Sequence, residues 1–99
     1  MMARKSTPLR KSRDVALNLT IALDKSADAF VSVLMDTIKA QGITSMARRT
    51  GVSRHTLYRY VWGTDRPMFE TVVKLTAACG VKLIVVPDDR QVPPEDATP

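Results

Sequence analysis

Ninety-nine residues, 44% of them hydrophobic, suffice for one core and not for two, so the chain is expected to form a single small domain. No stretch approaches the roughly twenty apolar residues of a membrane span, and residues 1–13 hold no apolar run that would act as an export signal. One cysteine, Cys79, rules out an internal disulfide and a cysteine-rich zinc site and agrees with a reducing, cytoplasmic setting, while a net charge of +5 suggests an anionic partner.

The charge is unevenly placed. Residues 1–13 carry +5 with no acid, residues 88–99 carry −3, and the stretch between them carries +3. Met1 to Lys11 is too poor in apolar residues to order itself and reads as a flexible basic arm, either a solvated tail or a phosphate-seeking one. From Ser12 to Leu23 two patterns compete. Leu17, Leu19, Ile21 and Leu23 alternate like a strand, yet Val15, Leu19, Ala22 and Leu23 form a helical stripe. Helix is the better reading, because Ser12 can cap it and Asp14 suits its first turn. Lys25 to Asp28 should break it.

Ser26 or Asp28 then caps a helix through Ala40, with Phe30, Leu34 and Ile38 at four-residue spacing and Val31 and Met35 alongside. Gln41 and Gly42 end it. The next stretch, Gly42 to Gly63, organises the rest: two short helices joined by a tight turn. Thr44 can cap the first, which carries Met46, Ala47 and Thr50, and Gly51 supplies the left-handed residue at which the chain reverses. Val52 looks inward. Ser53 is a good N-cap for a second helix running to Trp62. At 100° per residue, Leu57, Tyr60 and Val61 share one face and His55, Arg59 and Trp62 the opposite one.

After a loop at Thr64 to Pro67, Pro67 pre-sets a further helix from Met68 or Phe69 to Cys79, closed by Gly80. Its buried stripe is expected to be Phe69, Val72, Val73 and Thr76, with Leu75 and Cys79 nearby, and the Met and Phe positions are read as core. Val81 to Val86 is rich in β-branched residues and stopped by Pro87, so it reads as a short strand. With no second strand in the chain, its partner is expected to be its own copy in a twofold dimer, through Val81, Leu83, Ile84 and Val85, or the edge of another protein's sheet; packing on the helices as extended coil is the other reading. Residues 88–99, acidic and proline-rich, are expected to be disordered. The expected architecture is mainly α, five helices with one C-terminal strand, in a domain spanning residues 12–87.

No catalytic constellation stands out. His55 is the only histidine, Cys79 lies on another helix, and neither a GxGxxG nor a phosphate-binding loop is present. An enzyme, a cofactor and a metal site are not expected. A basic helix of about ten residues behind a tight turn instead matches the recognition helix of a helix-turn-helix, whose N-terminal residues meet base edges in double-stranded DNA. Arg54, His55 and Arg59 are the leading base readers, since an arginine can grip guanine O6 and N7 with two hydrogen bonds. Ser53, Thr56 and Tyr58 flank them. Thr44 and Ser45 stand where a helix start holds a phosphate, and Arg48, Arg49 and Arg66 are either phosphate ligands or solvated surface. Trp62 can pack on the nucleic-acid backbone or fold over the loop at Thr64 to Arg66.

With these residues in place, the stretch from Ala16 to Pro87 resembles the HigA-like addiction-module antidote proteins of the lambda-repressor-like helix-turn-helix superfamily. The matching segments are DAFVSVLMDTIKAQG, ITSMARRTGVSR, HTLYRYV and RPMFETVVKLTAACGVKLIV. The spacing Pro-x-Phe-x-Thr-Val-x-Lys at Pro67 to Lys74 and the closing Gly-Val-Lys-Leu point to the antidote branch. The resemblance implies a homodimer that binds a palindromic operator in its own promoter and sequesters a small RelE-like toxin, with Ser53, Arg54, His55, Thr56 and Arg59 on the DNA-reading positions. The arm before Ser12 is more basic than the family pattern, and Cys79 stands where a leucine is common. Two other functions fit the residues: a stand-alone dimeric repressor of phage origin, and a protein-interaction module docking through its C-terminal strand.

Overall fold

The computed structural model describes residues 11–88. Within them lie five helices: α1 (Ser12–Lys25), α2 (Ala27–Gln41), α3 (Ile43–Thr50), α4 (Arg54–Val61) and α5 (Phe69–Ala78). The expected basic arm and acidic tail fall outside the described residues except at Lys11 and Asp88.

The break between α1 and α2 is shorter than the expected Lys25 to Asp28. It is the single residue Ser26, whose extended backbone donates to the Ala22 carbonyl at 3.1 Å while its Oγ accepts the Ala29 N–H at 2.9 Å. One residue thus closes α1 and caps α2. Two expected caps are absent. Ser12 is already inside α1, whose N-cap is Lys11, and Thr44 is inside α3, whose N-cap is Gly42; neither N-cap residue makes a side-chain capping bond. Ser12 lies instead against Gly80, where an added Cβ would come within 3.1 Å of its own Cβ.

Helix α2 is the central post. Its Phe30, Leu34, Met35 and Ile38 share one buried cluster with Val15 and Leu19 of α1, Met46 of α3, Leu57 of α4, and Val72 and Leu75 of α5 with Cys79 just beyond it. Helix α1 packs along α2, while α3 touches α2, α4 and α5 and so ties the second half together. Burial corrects two expected stripes. Leu23 is exposed on α1, and on α5 the buried set is Val72, Leu75, Thr76 and Cys79, an i, i+3, i+4, i+7 series that leaves Val73 outside. Met68 and Phe69 are not core: they stand at the start of α5, at the edge of the domain, and are 73% and 74% exposed. The expectation of core methionines and phenylalanines holds for Met35, Met46 and Phe30.

The expected C-terminal strand is also absent. Residues 81–88 have no regular secondary structure. The Val81 N–H is taken by the Thr76 carbonyl at 3.1 Å, as part of the closure of α5. Val81 and Leu83 then turn toward the chain's own core, and no strand among the described residues completes a ladder with them. A β-branched run becomes a strand only where a neighbour accepts its backbone groups.

Cys79 is 4% exposed, and burial pushes its thiol from 9.0 up to about 11, with Arg49 opposing. A thiol raised in the folded state contributes stability that is complete below the unfolded value and is lost as pH climbs through the folded one. The protein should therefore melt at progressively lower temperature between pH 9 and about 11. A Cys79→Ala variant, starting from a lower Tm, should show a shallower decline over the same range.

Candidate nucleic-acid interface

Helices α3 and α4 are joined by a three-residue turn, Gly51 to Ser53, and each turn residue has a defined task. Gly51 lies at φ 80°, in the left-handed region that ends α3, and its N–H donates to the Ala47 carbonyl at 2.9 Å. A Cβ added there meets nothing within 4 Å. Gly51→Ala should therefore cost about 1 kcal/mol through backbone strain alone, read by urea denaturation as a lower midpoint with an unchanged slope. The Val52 N–H donates to Thr50 Oγ1 at 3.1 Å, and its side chain packs on the core. Ser53 accepts the Thr56 N–H at 3.1 Å and donates to Thr56 Oγ1 at 2.9 Å, which caps α4 and fixes both hydroxyls.

Leu57, fully buried, pins α4 from beneath, with Tyr60 and Val61 half-buried beside it. On the other side Arg54, His55, Tyr58, Arg59 and Trp62 are all exposed. At 100° per residue they span an arc of about 140°, a continuous outward stripe over the length of the helix. No acidic residue occurs between Gly42 and Gly63. The start of α3 lies beside the start of α4: Arg54 Nη1 donates to Thr44 Oγ1 at 3.5 Å. Thr44 is exposed and Ser45 half-buried.

The arginines separate by what they touch. Arg59 Nη2 pairs with Asp65 Oδ2 at 3.3 Å. Arg66 pairs with Asp28 at 2.8 Å, fastening the α4–α5 loop to the first turn of α2. Arg49 donates to the Ala78 carbonyl at 2.8 Å and to Gln41 Oε1 at 3.1 Å, so its guanidinium bridges the C-terminal ends of α2 and α5. Arg48, its neighbour in sequence, is exposed and makes no ion pair among the described residues. Trp62 is 74% exposed, standing in solvent rather than lying over the loop. The structure thus brings Ser53, Arg54, His55, Thr56, Tyr58 and Arg59 together at one surface with Thr44 beside them, and engages Arg49 and Arg66 elsewhere. Sequence reasoning passed over Asp65; its only signal there was an acid just after the Gly63 that ends the basic stretch.

Comparison with known proteins adds a family to this geometry. A protein of Haemophilus influenzae, described only as uncharacterized, is 31% identical over 78 residues, which cover 78% of this chain and 80% of that protein. No solved structure matches the chain. Residues 4–87 match a family described as probable addiction module antidote protein, and the relative and the matched span together make this chain a member of that antidote family.

Proposed function

We propose that the chain is the antitoxin and autorepressor of a toxin–antitoxin operon. It binds an operator in its own promoter through α3 and α4, as a homodimer of the HigA-like, lambda-repressor-like helix-turn-helix kind, and it neutralises a RelE-like toxin in the cytoplasm without catalytic chemistry of its own. Membership of the antidote family implies a toxin partner of some kind. The observation that carries the DNA reading is the outward stripe of Arg54, His55, Tyr58 and Arg59, set on a capped helix and free of acids from Gly42 to Gly63. Arg54 and Arg59 would meet base edges with His55, Ser53, Thr56 and Tyr58 around them, while Thr44, Ser45 and Arg48 would meet phosphates.

Apolar side chains left outside the core support protein partners. Ile84 and Val85 are 71% and 100% exposed on the segment whose Val81 and Leu83 pack against the core, and Leu17 and Ile21 stand on α1 one turn apart. A second copy meeting Ile84 and Val85 would present two α4 stripes to two half-sites.

The test uses the full chain with a duplex from upstream of its own gene, and with the product of the adjoining reading frame. The proposal expects binding whose logarithm falls linearly with log salt, a dimer by analytical ultracentrifugation, and co-purification of the adjoining product with loss of its toxicity. Absence of duplex binding at low salt would overturn the DNA half. Unrelieved toxicity in cells making both proteins would overturn the other.

A further inference from the structure

We infer that Asp65 is a positioning residue for Arg59, setting the guanidinium for base reading at the expense of general attraction to phosphate; this rests on the DNA-binding reading above. The loop after α4 is moored to the very residue whose side chain it engages. Arg59's carbonyl accepts the N–H of Thr64 at 3.0 Å, the N–H of Asp65 at 3.3 Å and the hydroxyl of Thr64 at 3.1 Å. Gly63, at φ 80°, lets the chain make that return. Asp65 then has both carboxylate oxygens engaged: Oδ1 accepts the Arg66 N–H at 2.9 Å, and Oδ2 accepts Arg59 Nη2 at 3.3 Å. Arg66 in turn pairs with Asp28 of α2 at 2.8 Å.

An ordinary exposed ion pair contributes little, because two long side chains must be ordered to make it. Here one partner is short and already held by its own backbone, so only Arg59 loses freedom. A guanidinium has five N–H donors in a rigid fork, and the bond to Asp65 uses one of them. The remaining four include a pair able to meet guanine O6 and N7. The carboxylate has a second effect. A negative charge beside Arg59 offsets its pull on phosphates, which lowers affinity for any duplex alike. Orientation raises discrimination while charge lowers background, and the two effects can be separated by substitution.

The experiment selects binding sites from a randomised duplex pool with the full chain, with Asp65→Asn and with Arg59→Ala, and measures affinity for the unselected pool. Asparagine keeps an Oδ1 acceptor for the Arg66 N–H and removes the charge that pairs with Arg59. The unmodified chain is expected to select a guanine at one position of each half-site, and Arg59→Ala to lose it. Asp65→Asn should weaken that preference about 2- to 5-fold while binding the unselected pool as tightly or more tightly, with an unchanged Tm. An intact guanine preference in Asp65→Asn, alongside its loss in Arg59→Ala, would overturn the positioning role and leave the DNA reading standing. A parallel loss of pool binding and Tm in Asp65→Asn would mean that the residue serves only the loop, and would overturn it too. No selected motif from the unmodified chain would remove the DNA reading itself.

Discussion

Alanine at Leu57 should lower stability by about 3 to 5 kcal/mol and the melting temperature by about 12 °C or more. Leu57 is fully buried and joins the core residues Leu34, Ile38, Met46 and Leu75, so truncation removes its own transfer energy and leaves a cavity that fixed helices close only in part. A domain of this size has about 5 to 15 kcal/mol in total, so the loss is a large share of it. Because α4 is eight residues long, it is too short to persist without that contact. The outward stripe should lose order with the core, and duplex binding should fall with helicity as temperature rises. Urea denaturation and circular dichroism check both.

Replacing Arg54 and Arg59 together by alanine should have the opposite profile: an unchanged fold and a lost ligand. Both side chains are exposed, and their partners, Thr44 and Asp65, remain on the surface without them, so the melting temperature should stay within about 2 °C. With about 1 to 3 kcal/mol of discrimination for each two-bond contact to guanine, preference for the operator over a scrambled duplex should drop at least about 30-fold. Fluorescence anisotropy at stated salt measures it. Retained preference in the double variant would place sequence reading on some surface other than α4.

Some features governed by chemistry within one turn of helix were legible in the amino-acid sequence, although Ser12 and Thr44, read as caps, lie inside their helices. Gly51 was readable as the left-handed stop, Ser53 as the cap and Leu57 as the buried anchor because each depends on neighbours at most four residues away. Features set by what lies across the fold were not. Arg48 and Arg49 look alike in sequence, and only the arrival of α5's last carbonyl 2.8 Å from Arg49 separates them. Phe69 and Val73 lie within about 100° of the buried face of α5, yet both stay outside it, 74% and 42% exposed. The run from Val81 to Val86 has the composition of a strand, but composition does not provide a second strand to pair with, and here Val81 and Leu83 found helices instead.

That α4 enters a major groove with Arg54 and Arg59 toward the bases is tested most directly by dimethyl sulfate protection of guanine N7, on a duplex from upstream of the gene with the full chain bound. Protected guanines should fall in two half-sites about one helical turn apart, and Arg59→Ala should expose one symmetric pair of them at protein concentrations that still saturate the duplex. Methylation of every guanine to the same extent with and without bound protein would contradict it.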